Sequence, residues 1–160
     1  MRRIKLYALL IMTLLLSACI NNIDPKNHLD EIYSIALDSI MEVDPGLNSE
    51  MDFIAIDFTK IDRLKEATKK TILEYIKKKY KLDVMEATFE ELKEQGFYNP
   101  DTSSLDGVLL RVEEVEFRMN DEVFFEGTKF RSGLGAIGIE GIVHFKEKWQ
   151  IKEITEIWIS

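Results

Sequence analysis

The sequence predicts an α+β domain over residues 28–160, with amino-terminal helices packed on a curved antiparallel sheet of four or more strands. Two observations predict it. Apolar side chains recur at helical spacing early in this span, and long alternating runs separated by turn residues fill its end. Helices first and a meander afterwards is an α+β order, because each element must bury a face against another layer.

The elements follow in order. Leu29, Ile32, Tyr33, Ala36, Leu37, Ile40 and Met41 form one helical stripe, which Asp44-Pro45-Gly46 stops. Phe53 to Phe58 is short, apolar and bulky, which reads as a strand. Thr59 opens a second helix as its cap, with Asp62 at the capping-box position and Ile61, Leu64, Thr68, Ile72, Tyr75 and Ile76 on one face. Leu82 to Glu86 is a short strand. Thr88-Phe89-Glu90-Glu91 is a stronger capping box, and Gly96 closes that short helix in the left-handed conformation. Tyr98 to Asp106 is turn-like. Four runs then follow: Val108–Met119, Val123–Arg131, Ala136–Phe145 and Trp149–Ile159. Ile137, Ile139, Val143 and Phe145 share a face in the third run. In the fourth, strict alternation puts Trp149, Ile151, Ile157 and Ile159 on one face and Ile154 and Trp158 on the other, a phase change that predicts a bulge or a sheet covered on both sides. The layout of these elements resembles the cystatin-like or nuclear-transport-factor-2-like arrangement, by analogy of shape, and such a fold fixes no function.

The first residues read as an address. Arg2, Arg3 and Lys5 precede an uncharged apolar stretch from Leu6 to Leu16, too short to span a bilayer. Leu16-Ser17-Ala18-Cys19 resembles the lipobox of bacterial lipoproteins. The resemblance implies a signal peptide over residues 1–18, acylation of the Cys19 thiol, and a lipidated tether over residues 19–27. Two acyl chains on one cysteine meet the requirement for stable anchoring. The expected location is therefore the extracytoplasmic face of the cell membrane.

Cys19 is the only cysteine, so the domain forms no internal disulfide and depends on its core. The net charge is −8, and the signal holds three cations and no acid, which leaves about −11 on the remainder. Such acidity argues against nucleic acid, whose phosphates need a basic footprint.

No catalytic or metal-binding constellation emerges, and no cofactor is expected. Gly133-Leu134-Gly135-Ala136-Ile137-Gly138 fits G-x-G-x-x-G by letter, but an alternating strand follows it where a dinucleotide site needs a helix. A hairpin turn, with small residues where the sheet bends or opens a pocket, is the better reading. His144 is the best candidate for acid–base chemistry, against a sheet-edge histidine as the plainer alternative. Asp101, Ser103 and Asp106 do not keep calcium-loop spacing, and alternation separates Glu113 from Glu114 and Glu116. Lys69, Lys70, Lys77, Lys78, Lys79 and Lys81 gather toward the end of the second helix, where cations suit the helix dipole.

From Tyr33 onward the chain resembles small uncharacterised lipoproteins of Gram-positive, Bacillus-like bacteria. The resemblance rests on Tyr33–Asp38, Phe53–Asp57, Ser104–Val112, Lys129–Ala136 and Trp158–Ser160. Members of such families are sometimes labelled peptide-transporter binding proteins, yet about 140 residues will not build the two lobes of such a receptor. The expected function is a non-enzymatic, membrane-anchored binding or accessory module for an envelope protein or small ligand. Lys129, Phe130, Arg131, Gly133, Gly135 and Trp158 are the candidate contacts. The alternatives are a small envelope hydrolase or isomerase using His144, and an inhibitor-type protein with an acidic face for a basic partner.

Overall fold

The computed structural model describes residues 23–62 and 64–160. The expected signal segment, Cys19 and the first residues of the expected tether lie outside them. Among the described residues no helix is long and apolar enough to cross a membrane.

Helix α1 (Leu29–Glu42) buries the predicted stripe and ends at Val43. Strand β1 (Phe53–Asp57) is buried at every position. The Thr59 amide and hydroxyl both donate to Asp57 Oδ1, at 2.8 and 2.5 Å. Thr59 is thereby committed to the strand end and caps no helix. Helix α2 (Glu66–Tyr80) begins later than expected, with no side-chain cap. Strand β2 (Asp83–Glu86) leads to helix α3 (Phe89–Glu94), where both bonds of the Thr88–Glu91 capping box form. Gly96, at φ 82°, ends α3 with the amides of Gly96 and Phe97 donating to Lys93 and Leu92, the two bonds of a Schellman cap. Strands β3 (Tyr98–Asn99), β4 (Ser104–Arg118), β5 (Glu122–Ser132), β6 (Gly135–Phe145) and β7 (Trp149–Ile159) complete the chain. Asn120 and Asp121, at φ 64° and 55°, make the tight β4–β5 turn.

The seven strands form one sheet in the order β2-β1-β4-β5-β6-β7, with β3 paired to β4. The last four are the expected antiparallel meander. The rest corrects the expectation: β1 runs parallel to both β2 and β4, so the sheet is mixed and helices alternate with strands. Burial explains it. A strand apolar on both faces is stable only inside a sheet covered on both sides, and β1 takes that place between β2 and β4.

The two sides of the sheet differ. Helix α1 lies across one side, with α2, over Ile54, Ile56, Val123, Phe125, Ile137, Ile139 and Val143. It comes so close that a Cβ at Gly127 would sit 2.4 Å from Ile40 Cδ1 and 2.9 Å from the Arg111 carbonyl. On the other side α3 covers only one end, packing Leu92 with Phe53, Ala55, Leu105 and Leu109. The rest of that side, along β4 to β7, is open.

Edge strand β7 shows the predicted bulging, at two places. Register shifts at Lys152 and Ile157 reset its phase, so Trp149, Ile151, Ile154 and Ile159 all pair onto the α1 side and Trp158 onto the open side. Two bulges also disturb a long edge that would otherwise invite pairing with another chain.

Candidate functional site

The open side carries a cleft of about 350 Å³. Cross-strand pairing builds it in rows. Leu109, Phe130 and Ala136 are directly opposed on β4, β5 and β6, and Arg111, Thr128, Gly138 and Trp158 form the next row. Phe89 of α3 closes one end, edge-on to Phe130 at 5.2 Å between ring centres. Trp158 forms the other wall. Its indole lies over Gly138 so closely that a Cβ there would meet Nε1 at 2.1 Å. Main-chain bonds between Ser160 and Ala136 hold the end of β7 in place. The indole is 44% exposed, so the wall is firm in position yet open to a ligand.

The floor of the cleft is polar and tied to the core. Arg111 Nε donates to Asp57 Oδ2 at 2.7 Å, and Arg111 Nη1 to Glu113 Oε1 at 3.3 Å. Glu113 also accepts from the Thr128 hydroxyl. Asp57 is 2% exposed, and its other oxygen serves Thr59, so it is a structural carboxylate that fixes the guanidinium. Glu113 reaches this floor because β4 shifts register between Val112 and Glu114. Strict alternation had pointed it away from Glu114 and Glu116.

Two expected contact residues, Phe130 and Trp158, line this cleft; the others are elsewhere. Lys129 is fully buried on the α1 side. Its ammonium shares three N–H groups among four oxygens, the carbonyls of Met41 (3.1 Å), Asp44 (2.9 Å) and Val43 and Asn48 Oδ1 (3.0 Å). Arg131, two residues on and on the same face, donates to the carbonyls of Leu47 and Ser49. Both cations thus fasten the end of α1 and the turn leading to β1, where a helix leaves carbonyls without partners. Gly133 stands in open space at the β5–β6 turn, and a Cβ at Gly135 would press on Leu47. Neither lines the cleft.

Burial pushes the Lys129 ammonium down to about 8. Between that value and the ordinary lysine value, the unfolded chain binds more protons at this site than the folded one. The burial cost is therefore present in full below pH 8 and is relieved as pH rises toward 10.5. Relative to Lys129→Met, the wild-type chain should gain about 2 kcal/mol of stability between pH 8 and 10. Denaturant titrations of both proteins across that range check it; parallel pH profiles would contradict it.

His144 lies toward the other end of the sheet, opposite Glu122 and Gln150, and does not line the cleft. The lysine group of α2 is largely consumed in ion pairs: Lys69 with Glu66 and Glu86, Lys77 with Asp83, and Lys79 with Asp38 and Glu42. Among the described residues no set of three acidic, histidine or cysteine side chains is placed to hold a metal ion. Sequence reasoning missed Phe89, Leu109, Arg111 and Thr128 as site residues. Alternation signals a face, but only the register shows that these positions share one.

No protein-family model matches the chain, and no curated protein or solved structure is significantly similar to it.

Proposed function

We propose that this chain is an extracytoplasmic lipoprotein, anchored through Cys19, that acts as a non-enzymatic binding module for an envelope protein or small ligand. The aromatic cleft carries the reading: Phe89, Phe130 and Trp158 leave apolar surface open over a polar, fixed floor, a common design of binding pockets. The lipobox resemblance at Leu16–Cys19 supports the anchor. The entry of the chain into the domain supports the orientation. Ile23 packs on the core, Lys26 lies 5.9 Å from the Phe117 ring, and His28 is 6.0 Å from the Trp149 ring. The tether therefore arrives at the β4–β5 and β6–β7 turns. Along β4, Arg111 is seven residues from Arg118, or roughly 23 Å at about 3.3 Å per residue. An anchored domain presents its cleft away from the membrane. The analogy to cystatin-like or nuclear-transport-factor-2-like layouts rests on α1 lying across the meander, and the Bacillus-type lipoprotein resemblance adds the address alone.

The hydrolase or isomerase alternative is the weaker one, because its best residue, His144, stands apart from the cleft. Two experiments test the proposal. Labelled palmitate should enter the wild-type protein and not Cys19→Ser; labelling of both or neither rejects the anchor. A photo-cross-linking residue at Thr128 should give a discrete adduct in living cells, lost with Gly138→Leu. The same residue at Lys78, exposed on α2, should give none. Equal adducts from both positions, or none from Thr128, reject the cleft as the binding site.

A further inference from the structure

We propose that the occupant of this cleft is an extended cationic peptide segment of a partner protein, with an apolar side chain flanked by Lys or Arg. The inference rests on the cleft being a binding site and names the chemistry that would recognise it.

Next to the cleft, one row further along the strands, Glu114, Glu126 and Glu140 are directly opposed on β4, β5 and β6. Like charges so placed destabilise a sheet. Among the described residues none of the three takes part in an ion pair; the nearby pairs are Arg111 with Asp57 and Glu113, Arg118 with Glu116, and Lys152 with Glu122. Arg111 is already neutralised by two carboxylates, so it does not offset the row. Folding alone leaves the repulsion in place, and a cation bound across the row relieves it. No metal-holding set exists there, so the cation is one carried by a larger ligand.

The spacing selects an extended chain. Thr128 and Glu126 on β5, and Gly138 and Glu140 on β6, are two residues apart. At about 3.3 Å per residue, the rows lie roughly 7 Å apart, the separation of side chains i and i+2 on an extended peptide. An apolar side chain seated between Phe130 and Trp158 places its i+2 neighbour over the glutamates. The strongly negative balance of the domain reinforces the selection and speeds encounter with a basic segment.

The test uses the full chain in zwitterionic micelles and a peptide with lysines at alternate positions around a central leucine. The indole N–H of Trp158 is followed by nuclear magnetic resonance, with the buried Trp149 as internal reference. The peptide is expected to shift Trp158 saturably. Replacing its leucine by serine, or making the triple change Glu114→Gln, Glu126→Gln and Glu140→Gln in the protein, should weaken it about tenfold or more. The triple variant removes repulsion, so it is expected to keep the wild-type spectrum elsewhere. Equal binding of a peptide with glutamines for lysines, or unchanged binding to the triple variant, overturns the cationic preference and leaves the cleft as a site. No shift of Trp158 by any peptide overturns the peptide ligand, and in-cell cross-linking from Thr128 then decides the cleft separately.

Discussion

Replacing Lys129 with methionine is expected to destabilise the fold by about 3 kcal/mol. The methionine fills a similar volume, but it leaves the Val43 carbonyl and the Asn48 amide oxygen without a donor, while the Met41 and Asp44 carbonyls keep the Asn48 side-chain amide and the Leu47 main-chain amide. Each buried acceptor stripped of its partner costs about 1–3 kcal/mol. Against that, removing the ammonium relieves the desolvation that depresses its ionisation. The partner loss wins because two neighbouring oxygens at the helix end are stranded together and the other two each lose one of two donors. Arg131 cannot substitute, since it is engaged with Leu47 and Ser49. Chemical denaturation should show a lower midpoint with an unchanged slope, and Asn48→Ala a smaller loss in the same direction. A Lys129→Met protein as stable as the wild type at neutral pH would show that the α1 end is held by packing alone.

Asp57→Ala is expected to cost about 2–3 kcal/mol and to loosen the cleft as well. The change removes a carboxylate that is 2% exposed and leaves Arg111 Nε and the Thr59 amide without their acceptor. Breaking a fully buried pair costs about 3–5 kcal/mol. Here the arginine side chain is 28% exposed, so water takes over part of its hydrogen bonding and the lower figure applies. Asp57→Asn keeps an acceptor and should recover part of the loss. The second readout is the cleft itself: Arg111 without Asp57 has only Glu113 to hold it, and the environment of Trp158 should change. Unfolding titrations together with Trp158 fluorescence in a Trp149→Phe background check both halves. A large stability loss with no change at Trp158 would separate the floor from the wall.

These two residues also mark where the sequence stopped being readable. Local signals were legible: the Thr88–Glu91 capping box, the Gly96 cap, the Asn120-Asp121 turn and the alternation of the meander are each set by neighbours in the chain. So was the presence of a bulge in the last strand, because its apolar residues broke phase. Lys129 was not legible, because its partners are main-chain oxygens some 85 positions away that no side-chain pattern announces. The parallel placement of β1 was missed for a similar reason. Its uninterrupted apolar run said that both faces are buried, but not which strands flank it. The cleft fell between these cases. Phe130 stood out beside a glycine-rich turn and Trp158 as an aromatic residue at the end of the last strand, whereas Arg111 and Glu113 entered only through cross-strand register and a bulge.

The cleft between Phe89, Phe130 and Trp158 is expected to be occupied when the protein is in its native setting. Hydroxyl-radical footprinting of the full chain, in intact cells and after purification, measures that occupancy. Trp158 and Tyr75 are comparably exposed, at 44% and 41%, and Tyr75 lies on α2 away from the open side. Trp158 is expected to be oxidised several-fold less in cells than in the purified protein, while Tyr75 reacts equally in both. Equal oxidation of Trp158 in the two states would mean that nothing covers the cleft, and the binding function assigned to it would fall.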